Sequence, residues 1–202
     1  MIVIIDYGMG NLRSVLNKFN KIGTKAVISS KVDDIKNASR LVLPGVGHFA
    51  NGMKNLKELG LLHALNEKVL NEKIPVIGIC LGMQLLTEFS EEGNVDGLNW
   101  IKGKTIRFNL KSAKLKVPHM GWNSIIKKKE NILLKNILDD SMFYFVHSYH
   151  VVCSNESDAL TTTDYGYNFV SSLQSENIYG TQFHPEKSHE YGLQLLKNFT
   201  EI

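Results

Sequence analysis

Short apolar runs alternate with stretches of helical spacing through the first half of the chain. Ile2 to Ile5 reads as a buried strand, and Asp6-Tyr7-Gly8-Met9-Gly10-Asn11 as a glycine-rich turn. Leu12, Val15, Leu16, Phe19 and Ile22 then recur at helical spacing, ended by Gly23. Lys25 to Ser29 predicts a second strand, and Val32 to Ala38 a short helix. Leu41-Val42-Leu43 predicts a third strand, followed by the turn Pro44-Gly45-Val46-Gly47. Asn51 to Leu59 and Leu61 to Asn71 have helical spacing and are separated by Gly60. Val76 to Ile79 is a fourth, β-branched strand, and helical spacing resumes from Leu81 through Gln84, Leu85, Leu86 and Phe89. The order βαβαβαβ predicts a parallel, doubly wound sheet.

Beyond Phe89 the strands become short and alternating, with turn signals at Asn94, Gly97 and Gly103. Thr105 to Asn109, Ser124 to Lys127, Met142 to Val146, His150 to Ser154 and Phe169 to Gln174 all read as strands. Glu176-Asn177 reads as a hairpin turn before a strand over Ile178 to His184. Ser188 to Phe199 predicts a closing helix that buries Tyr191, Leu195, Leu196 and Phe199. The expected fold is α/β: three layers, a mainly parallel open sheet with helices on both faces, and a smaller antiparallel or mixed sheet. At 202 residues, with no Pro/Gly/Ser-rich linker, the chain is expected to form a single domain over 1–202.

Composition narrows the classes of function. A net charge of +3 is too mild to imply nucleic acid. Asp6 interrupts the apolar start at once, so neither a signal peptide nor a membrane span is expected, and a cytoplasmic location follows by default. Two cysteines, Cys80 and Cys153, are too few for a disulfide framework and lack metal-ligand spacing, so no metal or cofactor is expected. Lys102, Lys104, Arg107, Lys111, Lys114 and Lys116 are uninterrupted by any acidic residue and read as a solvated face.

The chemistry gathers at Gly78-Ile79-Cys80-Leu81-Gly82. A cysteine bracketed by glycines between a buried strand and a helix has the pattern of a nucleophile elbow, with sulfur in place of the serine hydroxyl. The alternative reading is a buried structural cysteine beside two turn glycines. A cysteine nucleophile needs a base, and the base an orienting group. Among seven histidines, His184 in His184-Pro185-Glu186 is the best placed, because an extended segment projects residues two apart to the same side. Cys80, His184 and Glu186 would then form a triad. Gln84 lies one helical turn beyond Cys80, able to bond a substrate held at the sulfur. The Val46-Gly47 turn follows a neighbouring strand, so its N–H groups, with that of Leu81, are candidates for an oxyanion hole.

Pro44-Gly45-Val46-Gly47, Gly78 to Gln84 and Gly180-Thr181-Gln182-Phe183-His184-Pro185-Glu186-Lys187-Ser188 resemble the three motifs of class I (triad-type) glutamine amidotransferases. Asp6 to Asn11, Pro118-His119-Met120-Gly121-Trp122-Asn123 and Phe143-Tyr144-Phe145-Val146-His147-Ser148-Tyr149 narrow the likeness to the glutaminase subunits of imidazole glycerol phosphate synthase, in histidine biosynthesis. It runs from the first strand to the last helix. The resemblance implies that Cys80 attacks the carboxamide of L-glutamine, that Gly47, Gln84, Ser148 and Tyr149 hold this substrate, and that no cofactor takes part. It further implies a heterodimer with a (β/α)8-barrel cyclase, toward which Asn11, Trp122, Tyr144 and Lys187 face. Read on their own, Trp122 and Tyr144 are ordinary core aromatics. His48 and Asn99-Trp100 depart from the usual pattern of these subunits.

Other readings are an ammonia donor to a different synthetase, such as one making surface sugars, and a stand-alone cysteine hydrolase of the DJ-1 or intracellular-peptidase kind. The His-Pro-Glu motif and Gln84 speak against the hydrolase. A catalytically idle regulatory subunit would not need the complete triad.

Overall fold

Buried aliphatic runs set the strands, and their two-residue period builds a core on each side of the sheet. The computed structural model describes residues 1–111 and 114–202. Its first half consists of β1 (Ile2–Ile5), α1 (Leu12–Lys21), β2 (Ala26–Ser29), α2 (Val32–Lys36), β3 (Arg40–Gly45), α3 (Phe49–Glu58), α4 (Leu62–Asn66) and β4 (Val76–Cys80). A π turn over Glu67–Asn71 extends α4. There follow α5 (Leu81–Leu85), β5 (Phe89–Ser90), β6 (Val95–Asp96), β7 (Gly103–Arg107), β8 (His119–Ser124), β9 (Ile126–Lys127) and β10 (Met142–His147). The last are β11 (Tyr149–Cys153), β12 (Ala159–Asp164), β13 (Asn168–Ser175), β14 (Ile178–Thr181) and α6 (His189–Glu201).

The strands β2-β1-β3-β4-β14 are parallel neighbours, and the same sheet continues through β13, β11, β7, β5 and β6. Along β1, Val3 and Ile5 enter one core while Ile2 and Ile4 enter the other. The first core is closed by α2 to α5 through Ile35, Phe49, Leu56, Leu65 and Met83. The second is closed by α1 and α6 through Val15, Phe19, Leu195, Leu196 and Phe199. This is the three-layer architecture expected. The smaller antiparallel sheet is the pair β8–β10. The other antiparallel strands extend the main sheet, or hang from it as β12 and β9 do.

Three local expectations need correction. The helix after Cys80 stops at Leu85, and Phe89 lies in a strand. The reason is competition for carbonyls: Leu98 donates to Leu85, Trp100 and Ile101 to Leu86, and the Thr87 hydroxyl to Gln84. The strand expected over Ser124 to Lys127 is broken at Ile125, with Ser124 ending β8 and Ile126–Lys127 forming β9, and neither the rest of β8 nor β12 was foreseen. Its sequence reads polar, yet Thr161 and Thr163 are buried because their hydroxyls bond Ser171, Ser172 and the Ser124 carbonyl. The strand expected to reach His184 ends at Thr181.

His48 caps α3, its Nδ1 accepting from Ala50 N at 3.2 Å. Trp100 is buried, its indole N–H donating to Asn66. In the basic stretch, Lys102 pairs with Glu88 at 3.0 Å; Ser112 and Ala113 within it lie outside the described residues. Among the described residues no helix is long and apolar enough to cross a membrane.

Candidate active site

Cys80 sits where β4 turns into α5, with φ 54° and ψ −108°. A side chain pays conformational strain there, and such strain survives only where the surroundings over-determine the turn. The glycines supply that constraint. A Cβ on Gly78 would lie 2.6 Å from the Gly82 carbonyl, and one on Gly82 would overlap the Leu43 carbonyl oxygen. The sharp strand-to-helix turn is therefore written in Gly78 and Gly82, and it lifts the sulfur to the carboxyl end of the parallel strands, where open α/β sheets place their ligands.

The candidate base, His184, follows the end of the neighbouring strand β14. β14 pairs with β4 from Ile178↔Val76 to Thr181↔Ile79, which carries the following segment past Cys80. His184 N donates to the Tyr144 carbonyl at 2.9 Å, and the Ser188 hydroxyl donates to the His184 carbonyl at 2.6 Å, so its backbone is held on both sides. Glu186 lies in a 3-10 turn over Pro185–Lys187, so the turn brings its carboxylate to the ring, where sequence suggested an extended pair. Its Oε1 is 2.7 Å from His184 Nδ1. With Nδ1 committed, Nε2 is the nitrogen left for proton transfer, and it is buried without a hydrogen-bond partner of its own.

Burial alone would push this imidazole down. The charge of Cys80 and that of Glu186 more than offset it, raising His184 to about 10. A histidine raised in this way stabilises the fold fully below its ordinary 6.5, and that contribution is lost as the pH rises through about 10. A ring raised in this way carries hydrogen on both nitrogens at neutral pH. Glu186→Gln is expected to lower the His184 pKa, read by NMR titration. It should also slow glutamine turnover by roughly one to two orders of magnitude less than His184→Ala, because orienting the ring matters less than moving the proton. The reverse ranking in matched kinetics would reverse the two roles.

Gln84 and Gln182 complete the nucleophile's surroundings. Gln84 Nε2 donates to the Tyr149 carbonyl at 3.0 Å and to Gln182 Oε1 at 3.0 Å. Both amide hydrogens of Gln84 are thus used internally, so only its oxygen is free to accept from a substrate. Gln182 in turn points Nε2 at the Cys80 sulfur, 3.8 Å away. The sulfur also lies 3.9 Å from the Val146 carbonyl.

A cavity of about 310 Å³ opens at the sulfur, lined by Val46, Gly47, Cys80, Leu81, Gln84, Glu92, Val146, His147, Ser148 and Tyr149. This is the small end of ligand pockets and suits a free amino acid. Cys80, the oxyanion-loop candidates and the four expected substrate-holding residues therefore line one cavity, while His184 and Glu186 lie outside its lining. Gly45 is registered against Cys80, so the Val46-Gly47 turn begins where the elbow ends. Gly47 has φ 118°, a conformation glycine adopts without strain.

Of the residues expected to face a partner, Trp122, Tyr144 and Lys187 lie together outside the cavity lining. Trp122 is 43% exposed and Met120 67%, both on β8, so Trp122 is no core aromatic. Trp122 stacks on His189 with centroids 4.8 Å apart, and Lys187 Nζ lies 5.5 Å from the ring centre of the half-buried Tyr144. Asn11 is exposed and caps α1 through Ser14 N.

Sequence reasoning passed over Gln182, Glu92 and His147. Gln182 stood inside the His184 motif, two residues before that histidine, and that closeness was the available signal. Glu92 places a carboxylate on the cavity wall while accepting from Phe49 N at 2.8 Å, a pairing no local pattern encodes. Tyr7 is buried beside Gly45, its phenol pushed up by burial and by the charge of Cys80.

Comparison with known proteins agrees with this geometry. The family model for glutamine amidotransferase class-I matches residues 3–202. The chain is 53% identical over 199 residues to imidazole glycerol phosphate synthase subunit HisH 2 of Methanococcus maripaludis, covering 98% of each chain. It is 47% identical over 202 residues to the subunit of the same name from Pseudomonas aeruginosa, covering 100% of each. A solved structure described as a glutamine amidotransferase has a TM-score of 0.74 at 16% identity, over 100% of this chain and 98% of that one, a likeness of fold.

Proposed function

Because this chain belongs to the class I glutamine amidotransferase family, we propose that it hydrolyses L-glutamine with Cys80, His184 and Glu186 and passes the ammonia to a synthase partner. Residues 1–202 act as one amidotransferase unit. The Cys80 thiolate attacks the carboxamide carbon, and charge builds on the carbonyl oxygen beside the N–H groups of the Val46-Gly47 turn and Leu81. His184 gives its Nε2 proton to the departing nitrogen, so ammonia leaves and a γ-glutamyl thioester remains. His184 then takes a proton from water, which attacks the thioester. Glutamate leaves and the sulfur is restored. Gly47, Gln84, Ser148 and Tyr149 hold the substrate through these steps.

The carrying observation is the meeting of the strained Cys80 elbow with the paired His184 and Glu186 across β4 and β14. The names of the relatives support imidazole glycerol phosphate synthase as the complex. Its partner is a (β/α)8-barrel cyclase that joins the ammonia to a phosphoribulosyl-formimino ribonucleotide. The products are imidazole glycerol phosphate and an aminoimidazole carboxamide ribonucleotide. Asn11, Trp122, Tyr144 and Lys187 face that barrel, and this chemistry belongs to the cytoplasm.

Glutamate release should be measured with the chain alone, with the barrel, and with the barrel plus its nucleotide. One misdirected oxyanion donor costs about 10²–10³ in rate, so stimulation of at least that order is expected if the partner sets the Val46-Gly47 peptide. Equal rates in all three arms would overturn the partnership. Stimulation only by a different synthetase would favour the paralogous reading.

A further inference from the structure

Along the wall of the cavity a line of hydrogen bonds runs from strand β8 to the Cys80 sulfur, through two buried histidines that the mechanism does not use. Asn123 on β8 lies 3.3 Å from His119 Nε2 through its Nδ2. His119 Nδ1 is 3.0 Å from His147 Nε2, and His147 Nδ1 is 2.7 Å from the Tyr149 carbonyl. That carbonyl also accepts from Gln84, which meets Gln182, which meets the Cys80 sulfur. Phe145 stacks on His119 at 4.8 Å, and Tyr165 covers it at 4.0 Å. Phe108 packs on His147 at 5.2 Å.

Elementary donor counting fixes every hydrogen in this line. A carbonyl only accepts, so His147 Nδ1 carries the hydrogen and a neutral His147 offers Nε2 as an acceptor. His119 must then donate from Nδ1 and accept at Nε2, and the Asn123 amide supplies that hydrogen. Its second hydrogen goes to the Asp164 carbonyl at 2.9 Å, and its oxygen accepts from Ser124 N at 2.9 Å. No donor is duplicated and none is missing. A charge on either ring would set two donors face to face, and burial holds both imidazoles well below their ordinary range.

We propose that His119 and His147 are positioning residues, which hold the Tyr149 carbonyl and through it orient Gln84 and Gln182, tying the geometry of the substrate pocket to strand β8. This rests on the glutaminase reading of the pocket. Exposed Met120 and Trp122 occupy the same strand as His119 and Asn123, so any displacement of β8 is transmitted to the amide that receives the substrate. The line acts on binding. It leaves the proton transfer at His184 alone.

The test separates positioning from packing by comparing His147→Phe with His147→Asn in the complex. Phenylalanine fills the imidazole volume but cannot donate, whereas asparagine is smaller and presents an N–H where Nδ1 stood. Expected is a rise of about tenfold in KM for glutamine with His147→Phe and kcat within about twofold, while His147→Asn stays near wild type. Phenylalanine matching or surpassing asparagine would assign the residue to packing and overturn the proposal. Should the phenylalanine variant fail to fold, ¹⁵N NMR of the unsubstituted chain decides. Both rings must be neutral and carry hydrogen on Nδ1 near neutral pH, and hydrogen on Nε2 of either ring breaks the line. Because that measurement needs no turnover, a wild-type complex without glutaminase activity would count against the proposed function and leave the hydrogen-bond line standing.

Discussion

Cys80→Ser in the synthase complex is expected to stop product formation from glutamine while leaving synthesis from ammonium salts intact. Losing the nucleophile of a coupled triad costs roughly 10⁴-fold or more, since base and orienting group have nothing left to activate. The second reaction should survive, because everything recognised in this chain serves amide hydrolysis and it has no phosphate-cradling loop: the Gly8-x-Gly10 turn lacks the rest of a nucleotide fingerprint. The assay follows product from the formimino ribonucleotide at high pH, where free ammonia is abundant, under each nitrogen source. Loss of both activities with the complex intact would mean that Cys80 does something other than release ammonia. Cys153→Ala is the control. Cys153 lies half-buried in β11 with its thiol pushed up to about 12, chiefly by burial, which is the wrong direction for a nucleophile. Its loss should cost about 1–2 kcal/mol and little activity.

Gly82→Ala is expected to be the most damaging single methyl that can be added near the site. The new Cβ would occupy the position of the Leu43 carbonyl oxygen, a backbone atom of β3 that cannot rotate away. Either β3 and β4 part or α5 withdraws, and both undo buried pairing. A loss of about 4 kcal/mol or more follows, in the range reserved for gross steric conflict. Gly60→Ala gives the scale of conformation alone. Its φ is 67°, but nothing lies within 4 Å, so only the left-handed penalty of about 1–2 kcal/mol applies. Denaturant unfolding of the two variants against wild type measures the difference. Equal midpoints would mean that the turn at Gly82 yields more easily than its contacts imply.

Much of this was legible from the chain because the informative residues obey local rules. Val76 to Cys80 is buried throughout, so an unbroken apolar run was a sound sign of a central parallel strand. The glycines around Cys80 mark a backbone that a Cβ would not fit, so the sharp strand-to-helix turn at Cys80 was legible without any fold. What escaped notice depends on partners distant in sequence. Thr161 and Thr163 are buried only because hydroxyls of β13 and a carbonyl of β8 meet them. Glu92 reaches the cavity by accepting from a residue 43 positions earlier. Only the family resemblance placed Trp122 at a surface; read on its own it favoured the core, because no local pattern distinguishes an aromatic held out on a two-stranded ribbon.

The pairing of β4 with β14 also dictates when the enzyme can begin to work during its own synthesis. His184 lies 104 residues downstream of Cys80 (184 − 80), so a nascent chain carries the proposed nucleophile long before its proposed base exists. At about 5–20 residues per second the ribosome needs roughly 5–20 seconds to cover that interval. Until then β4 presents an open edge, the kind of unpaired strand that invites association with other chains. Closing so long a separation is entropically slow compared with the local βα units upstream, which makes docking of β14 a late event in folding. A chain truncated before His184 is therefore expected to release no ammonia from glutamine.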